Sequence, residues 1–342
     1  MKFNPKYTIT PKLLDNIKQV TKIKTELNNR RFPDAIKVKL EKSAVSLSVY
    51  SSTSIEGNPL PLTEVKKLLE NKPEHARDSE KEVINYNDAL VYLQKLIGKK
   101  VKPDDKLVLD IRKRVVRYLL PEEKLGSYRN VPVVVNDPRT GETVYLPPDA
   151  GDVEDLMEGL LQYVDRDKNE IDSVILAGLF HKQFVIIHPF VDGNGRTVRL
   201  LTKLLLANMG LDTFNLFSFE NYYNKNVTRY FQNVGVFGNY YEIKEDIDFT
   251  RWLEFFTDGI IDELLRVSEE LKKVGVDPKT SLKEHHKKIL KYIEERSFIT
   301  DSEYSKLTDR AKATRALDFN KLIKLGLIKR EEKGRATYYI LK

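Results

Sequence analysis

The sequence contains no cysteine, which excludes disulfide bonds, thiolate catalysis and cysteine-ligated metal sites. Its apolar runs all fall short of the roughly 20 residues that a membrane helix requires. The first residues, Met1-Lys-Phe-Asn-Pro5, lack the apolar stretch of a secretory signal. Internal repeats and low-complexity tracts are also missing. These absences predict a cytoplasmic protein with no membrane partner.

What the sequence does contain is enough apolar material for a sizeable core. Hydrophobic residues make up 41% of the 342 residues, a length that fits two or three domains. The net charge is +7, and its location is informative: residues 281–342 hold 16 Lys and Arg against 9 Asp and Glu, whereas the rest of the chain is balanced. A local basic surface of this kind is either a nucleic-acid footprint or a solvated lysine-rich face.

Apolar spacing of the helical type predicts a mainly α protein. The helical patterns cover 10–50, 63–70, 78–97, 104–119, 149–165, 171–187, 197–209 and 249–274. Gly57 and Pro59 are expected to end one helix, and Thr63 is a candidate N-cap of the next. We predict three segments: an N-terminal helical region (1–98), a central core (99–275) and a C-terminal unit (281–342), with a linker near 276–280.

Residues 126–148 differ from the helical surroundings. Val131-Pro-Val-Val-Val135 and Thr143-Val-Tyr-Leu146 are rich in β-forming residues, and Asn136-Asp-Pro-Arg-Thr-Gly141 between them has turn chemistry. This pattern predicts a β-hairpin inserted in a helical protein.

The C-terminal unit shows three helical patterns, at 284–295, 301–307 and 310–325, followed by two β-type runs around a Lys-Gly turn. This order resembles a winged-helix domain, which binds either DNA or protein. The candidate cations for a DNA contact are Arg310, Lys312 and Arg315 on the third helix and Lys329, Arg330, Lys333 and Arg335 on the wing. His285 and His286 are adjacent on a helix, so we expect them to face different directions and not to form a metal pair.

The segment His188-Pro-Phe-Val-Asp-Gly-Asn-Gly-Arg-Thr-Val-Arg199 concentrates chemistry. Pro189 interrupts a helical pattern, and the glycines beside Asn194 allow backbone N–H groups to point into one concavity at a helix N-terminus, where phosphate binds. Arg196 and Arg199 lie three residues apart and can bind further phosphates. Asp192 offers a hard oxygen ligand for Mg²⁺, and His188 can accept a hydroxyl proton.

Simpler interpretations of this segment are an ordinary glycine turn, a structural histidine or a calcium loop. The calcium loop is disfavoured because Arg196 and Arg199 stand where further oxygen ligands are needed, and no closing Glu follows.

The twelve residues resemble the Fic family, whose signature His-Pro-Phe-x-Asp/Glu-Gly-Asn-Gly/Lys-Arg-x-x-Arg is matched at every position. The resemblance extends over roughly residues 40–260 and implies a helical Fic core that transfers AMP from Mg-ATP to a Ser, Thr or Tyr hydroxyl of a target protein. It implies His188 as the catalytic base, Asp192 as the magnesium ligand and Phe190 as an anchor of the loop. The ATP-binding residues it implies are Gly193, Asn194, Gly195, Arg196, Thr197 and Arg199, with Tyr230 and Phe231 near the adenosine. Gly195 stands where the family's kinase-like members carry Lys, which favours AMP transfer over phosphate transfer.

Ser52-Thr-Ser-Ile-Glu56-Gly57 resembles the family's inhibitory motif. Glu56 is expected to pair with Arg199, occupying the guanidinium that the γ-phosphate needs; the alternative is a capped helix end with a solvated Glu. Some relatives use this Glu to position water for removal of AMP, so the reverse reaction is also implied.

The predicted hairpin is similar to the family's flap, which holds the target by strand addition. Val133, Val134, Val135 and Asn136 are the predicted target contacts, and a purely structural hairpin is the alternative. Asn226-Val-Thr-Arg-Tyr-Phe231 resembles a Tyr-Tyr pair near the adenosine, with Phe231 replacing the second Tyr.

Three functions follow from the sequence. The first is an autoinhibited AMP transferase that uses ATP and Mg²⁺. The second is a Fic-type transferase of UMP or phosphate. The third, of a different class, is a winged-helix DNA-binding regulator whose Fic core senses nucleotide. Self-modification and a homodimer are further expectations.

Overall fold

The computed structural model describes residues 3–30, 34–99, 101, 103–137, 140–167, 169–273, 282–333 and 336–341. The helices of the first half are α1 (Pro11–Asn28), α2 (Asp34–Ile55), α3 (Leu62–Glu70), α4 (Asp78–Gln94), α5 (Asp105–Val115), α6 (Val153–Asp167) and α7 (Ser173–Ile187). Those of the second half are α8 (Asn194–Leu206), α9 (Glu220–Lys225), α10 (Val227–Val234), α11 (Tyr240–Ile243), α12 (Thr250–Lys273), α13 (Glu284–Arg296), α14 (Asp301–Ser305) and α15 (Lys312–Lys324). The strands are β1 (Val135–Asn136), β2 (Thr143–Leu146), β3 (Gly238–Asn239), β4 (Ile328–Lys333) and β5 (Ala336–Leu341). The mainly helical fold predicted from the sequence is confirmed.

The described residues divide into two compact units, one formed from 1–29 and 44–268 and the other from 30–43 and 269–342. The predicted three-segment division stays a prediction, and the expected linker at 276–280 lies outside the described residues. In the part of the chain that the structure describes, no helix is both long and apolar enough to cross a bilayer.

The core of the first unit surrounds α7, which is buried from Val174 to Phe184 without interruption. A helix that is buried on all sides needs neighbours on all sides. Helix α12 approaches so closely that a Cβ at Gly178 would lie 2.7 Å from Leu253 Cδ2. The Trp252 indole donates a hydrogen bond to the Gly178 carbonyl at the same crossing (2.7 Å). This packing fixes the end of α7, where His188 follows.

The predicted hairpin is present but shorter than the sequence suggests. Strand β1 begins at Val135 instead of Val131, and β2 pairs with it antiparallel and with β3 in parallel. Two local causes shorten β1: Pro132 has no N–H to donate, and the Val131 carbonyl accepts from Arg129. Val133 and Val134 therefore precede the strand instead of lying in it.

Two helix boundaries also differ from the sequence prediction. Helix α3 starts at Leu62 with Pro61 as its N-cap, so Thr63 lies inside the helix and is not the cap. Helix α8 starts at Asn194, because Gly193 at φ +86° turns the chain directly into its first turn. Gly57 has φ +91° and follows the end of α2, as the sequence predicts.

The second unit contains α13, α14, α15 and the β4–β5 hairpin, the order that the winged-helix prediction requires. Ile299 pairs with Tyr339 of β5 in a single bridge, and the ring of Tyr339 stacks on Phe319 of α15 at 3.9 Å. A winged-helix domain stays a prediction. Among its proposed DNA contacts, Arg335 lies outside the described residues.

The expectation that His285 and His286 face different directions is wrong. Their ring centroids are 4.3 Å apart, and their Nε2 atoms lie 3.2 and 3.4 Å from the same oxygen, Oδ1 of Asp318. Adjacent side chains meet here because Asp318 of α15 draws both rings to one point. His286 Nδ1 accepts the Lys283 N–H, which assigns the ring hydrogen to Nε2 and makes His286 a donor to Asp318. Arg310 also pairs with Asp318, so this cluster is a carboxylate held by hydrogen-bond donors.

Candidate active site

His188 is the C-cap of α7 and has a left-handed backbone, with φ +51° and ψ +58°. Its N–H still bonds to the Phe184 carbonyl at 3.0 Å, and Pro189 disfavours a right-handed helical conformation at the residue before it. A non-glycine residue in this region costs on the order of 1–3 kcal/mol, and such residues cluster at functional sites. The imidazole is therefore set at a fixed point where the helix ends.

The environment of His188 keeps its ring neutral. Burial is the main cause that lowers the pKa of His188 to about 4, and the Arg129 cation lowers it further. The Val185 carbonyl, Glu56 and Asp192 act in the opposite direction. A neutral imidazole at physiological pH is free to accept a proton.

The loop after His188 is closed by Asn194. Its Oδ1 accepts the Phe190 N–H (2.9 Å) and its Nδ2 donates to the Phe190 carbonyl (2.7 Å), so one amide holds both main-chain groups of that residue. Phe190 is buried and stacks on Tyr128 at 5.5 Å, the anchoring position predicted for it. Gly193 combines φ +86° with close packing, since a Cβ there would lie 2.8 Å from Val116 Cγ1.

The first two turns of α8 carry the two arginines predicted to bind phosphate. Both are buried, Arg196 at 3% and Arg199 at 0% relative exposure, which is rare for an arginine. Thr197 is also buried, and its hydroxyl has no hydrogen-bond partner among the described residues. A helix start with free N–H groups and two buried cations is a site for an anion.

Arg199 is held by the end of α2. Its Nη2 donates to Glu56 Oε1 (2.8 Å) and to the Ser52 carbonyl (2.8 Å), and its Nε donates to Ser52 Oγ (2.7 Å). Burial alone would lower the pKa of Arg199, but the charges and hydrogen bonds around it, led by Glu56, raise it above its ordinary value. The pairing of Glu56 with Arg199 expected from the sequence is present in this structure.

Arg196 is held by two carboxylates, one of which the sequence analysis missed. Its Nη2 contacts Asp192 at 3.1 Å, and its Nη1 lies 3.2 Å from Glu82 of α4. Glu82 also accepts from Asn58 (2.7 Å), two residues after Glu56. Glu82 sits in a charged helical pattern typical of a solvated face, so no sequence signal distinguishes it.

The predicted metal ligand Asp192 is suited to a hard cation. Its side chain is about half exposed (47%) at the mouth of the loop, where Oδ1 accepts the Gly193 N–H. One carboxylate beside a phosphate site matches the way Mg²⁺ is usually held, by one or two carboxylates, phosphate oxygens and water. The donor set present at Asp192 therefore fits a magnesium ion that arrives with a nucleotide.

The β1–β2 hairpin, the predicted flap, lies against the end of α7. The Tyr145 hydroxyl of β2 donates to the Ile186 carbonyl at 2.9 Å, while Val134 is half exposed and Asn136 exposed. Among the described strands, β1 is at one edge of the β1–β2–β3 order. Its outer backbone groups are thus available for another strand.

The two aromatic residues predicted near an adenosine are in different environments. Tyr230 is 2% exposed; its hydroxyl meets His181 Nε2 at 3.0 Å and its ring stacks on Tyr223 at 4.7 Å. Phe231 is 37% exposed. The structure therefore brings Phe231 to the surface and places Tyr230 in the core near Arg199. Burial raises the pKa of Tyr230 to about 12, and the Arg199 charge opposes this rise.

These features define a helical domain built around a candidate anion-binding loop that follows a half-buried histidine. Residues 102–206 match the model of the Fic/DOC family. Two relatives named protein adenylyltransferase Fic align with about half of this chain. The one from Drosophila grimshawi is 31% identical over 174 residues, which are 50% of this chain and 34% of the relative. The one from Nematostella vectensis is 32% identical over 176 residues, 49% of this chain and 39% of the relative. The chain thus spans little more than a third of the length of these relatives.

Two solved structures have a similar fold. A Fic family protein from Desulfovibrio desulfuricans G20 superposes with a TM-score of 0.64 at 19% identity, covering 99% of this chain and 98% of that one. Fic-1 from C. elegans (residues 134–508) has a TM-score of 0.60 at 21% identity, covering 76% and 73%. The match to the Fic/DOC family thus covers residues 102–206, and the similarity of fold extends over most of the chain.

Proposed function

We propose that this protein is a protein adenylyltransferase that moves AMP from Mg-ATP to a Ser, Thr or Tyr hydroxyl of a target protein. The observation that carries the proposal is the pair of buried arginines, Arg196 and Arg199, near a half-buried imidazole at His188 whose pKa is lowered to about 4. The names of the aligned relatives support the same activity.

The transfer uses this chain's residues as follows. The target hydroxyl oxygen bonds to the α-phosphorus of ATP while the bond from that phosphorus to the bridging oxygen breaks, so pyrophosphate leaves. His188 accepts the hydroxyl proton. Arg196, Arg199 and the N–H groups at the start of α8 stabilise the charge on the phosphates. Asp192 would hold the Mg²⁺ ion, which neutralises phosphate charge when bound.

Glu56 restrains this activity in the proposal. Its carboxylate occupies Arg199 Nη2 at 2.8 Å, the group that would otherwise bind the γ-phosphate, and a carboxylate there also repels the triphosphate. The same carboxylate is the candidate to position water for removal of AMP from the modified target. The edge of β1 would hold the target by strand addition.

The test identifies which group, AMP, UMP or phosphate, is transferred. The full chain and its Glu56→Gly and His188→Ala variants are incubated with lysate and ATP labelled at the α- or the γ-position, and with α-labelled UTP. Incorporation from α-labelled ATP that depends on His188 supports AMP transfer. Incorporation from γ-labelled ATP or from UTP in its place would replace the proposal with phosphate or UMP transfer, and label on the chain itself would show self-modification.

The DNA-binding regulator finds less support. Arg310 is paired with Asp318 and Arg315 with Asp301, both at 2.8 Å. Two of the three cations proposed for a DNA-contacting helix are thus already neutralised within the second unit. No specific observation favours this function over AMP transfer.

A further inference from the structure

The carbonyl groups at the end of α7 receive their hydrogen bonds from residues of the flap region. The last carbonyls of a helix have no partner within the helix. Here the Tyr145 hydroxyl donates to the Ile186 carbonyl (2.9 Å), and Arg129 Nε donates to the His188 carbonyl (2.8 Å). The Arg129 N–H also donates to the Pro189 carbonyl (2.9 Å). The left-handed turn at His188 is therefore closed from outside the helix.

The same guanidinium joins the two ends of the flap. Arg129 Nη1 donates to the Val131 carbonyl (3.2 Å), and Nη2 donates to the Pro148 carbonyl, on the other side of the hairpin. Arg129 is 5% exposed, and its hydrogen bonds in the described structure all go to main-chain carbonyls. A rigid planar fork is suited to holding several oxygens at once.

The position of Arg129 favours a cation, and a side chain without several donors would leave the surrounding carbonyls without hydrogen bonds. The C-terminal end of a helix carries a partial negative charge that stabilises a cation. Removing the guanidinium would leave buried carbonyls at both His188 and Pro148 without these donors, which is costly. The bonds also oppose relaxation of the left-handed backbone at His188, a conformation that side chains other than glycine rarely adopt.

We propose that Arg129 is a positioning residue: it fixes the backbone of His188 and ties the flap that would hold the target to the loop that carries the base. The proposal rests on the proposed function for the role of His188 as base. Its structural content, one buried side chain holding both the flap and the catalytic turn, rests on the hydrogen bonds alone. Arg129 acts through the main chain and touches no reacting atom.

The first experiment measures the backbone of His188 directly. In the full chain, hydrogen exchange of the His188 amide, which bonds to the Phe184 carbonyl, is compared among the wild type, Arg129→Met, Arg129→Lys and Tyr145→Phe. Both Arg129 variants should exchange at least about tenfold faster at His188, because each loses the fork that closes the turn. Tyr145→Phe is the matched control; it loses one bond to a neighbouring carbonyl and should leave His188 protected. Unchanged exchange in folded Arg129→Lys would overturn the proposal.

The second experiment measures how the charge of Arg129 affects the pKa of His188. Arg129, Glu56 and Asp192 are the charged groups acting on His188. The five histidines are titrated by NMR, with His188→Asn to assign the resonance. Arg129→Met should raise the pKa of His188 by about one unit, since it removes a nearby like charge, whereas Arg129→Lys and Tyr145→Phe should leave it near the wild-type value. If the pKa of His188 rose equally in Tyr145→Phe, the shift would come from a general loosening of the hairpin and not from the charge of Arg129.

Both readouts are independent of whether AMP is transferred. If the exchange and titration results hold but no label is incorporated, the proposed function fails and the positioning role stands. If AMP transfer is established, Arg129→Lys in a Glu56→Gly background should lower kcat and raise KM for the target while leaving KM for ATP within about twofold. An equal rise in KM for the target and for ATP would contradict the proposal that Arg129 couples the flap to His188.

Discussion

Glu56 Oε1 lies 2.8 Å from Arg199 Nη2 and would lie 2.2 Å from a Cβ placed on Gly195. One carboxylate oxygen is thus fitted between the Arg199 guanidinium and Gly195. The absence of a side chain at Gly195 is what gives the Glu56 carboxylate room. The sequence suggested Gly195 as a determinant of the transferred group, and the structure adds contact with Glu56.

Under the proposed function, replacing Glu56 should raise the rate of AMP transfer. In Glu56→Gly, Arg199 loses its carboxylate and becomes available to the γ-phosphate, so AMP incorporation should rise at least about tenfold. Ser52→Ala removes the Arg199 Nε bond to Ser52 Oγ but keeps Glu56, so it should produce a much smaller rise. The measurement is initial incorporation from α-labelled ATP, and His188→Ala in each background gives the blank. Equal rates in wild type and Glu56→Gly would refute inhibition by this contact.

The same change should make stability depend on nucleotide. Without ATP, Glu56→Gly leaves a buried cation short of one partner, which should cost about 1–3 kcal/mol of unfolding free energy. Phosphate can replace the lost carboxylate, so ATP with Mg²⁺ should raise Tm more in this variant than in wild type. Thermal unfolding with and without nucleotide measures both effects, and Ser52→Ala is the control that retains the ion pair. A smaller shift in Glu56→Gly would mean that Glu56 does not compete with phosphate.

The contact between Gly195 and Glu56 predicts strong coupling between substitutions at these positions. Gly195→Ala should displace the Glu56 carboxylate and destabilise the protein, whereas in a Glu56→Gly background the methyl group meets no carboxylate. A double-mutant cycle should therefore give a coupling free energy of about 0.5–3 kcal/mol. Denaturant unfolding of the four proteins tests this. Additive effects would show that the loop moves independently of Glu56.

Much of the fold and the loop could be predicted from the sequence because the signals are local. The break at Pro189, the left-handed Gly57 and the cluster of glycines around Asn194 act within a few residues. Glu82 and Arg129 could not be identified in this way. Arg129 bonds to the His188 carbonyl across 59 positions of the sequence. In the sequence alone, Glu82 and Arg129 look like ordinary solvated charges, because their partners come from distant parts of the chain.

Environment also separated residues that the sequence treated alike. Tyr230 and Phe231 are neighbours in the chain, but on α10 they point to different surroundings, so one is in the core and the other at the surface. Likewise, adjacent positions on α13 did not keep His285 and His286 apart, because long side chains can converge on one carboxylate. Helical periodicity predicts the direction in which a Cβ points, but not the final position of a ring carried on rotatable side-chain bonds.

His188 should make the protein sensitive to acid in a defined window. Its pKa is about 4 in the folded state against an ordinary 6.5, so between these values the unfolded chain binds more protons than the folded one. Stability is therefore complete above pH 6.5 and falls as the pH drops towards 4, by up to about 3 kcal/mol from this residue. His181 and His286 have lowered pKa values too and act in the same direction.

His188→Asn isolates the contribution of His188, because asparagine tolerates the left-handed backbone but does not titrate. Unfolding free energy measured from pH 7.5 to 4.5 should decline less steeply in this variant than in wild type. Parallel curves would show that the pKa of His188 is not lowered in the folded protein. In the same range, the rate of AMP transfer should show no loss between pH 8 and 6, where an unperturbed histidine would begin to protonate.

In the second unit, stability should depend on Asp318. Its carboxylate is 4% exposed and accepts from Tyr304 Oη (2.9 Å) and Arg310 Nε (2.8 Å), with both histidines of α13 beside it. In Asp318→Asn an amide N–H₂ would face these donors and Arg310 would lose its counter-charge, so unfolding of residues 282–341 should become easier by about 3 kcal/mol. Hydrogen exchange of the α13 and α15 amides measures this, and Asp309→Asn, at an exposed carboxylate in the same segment, should have no effect. Arg310 would be free in this variant. Duplex DNA binding that appears only in Asp318→Asn would show that the wild-type ion pair suppresses binding. Salt-sensitive DNA binding by the wild type would instead support the regulator function.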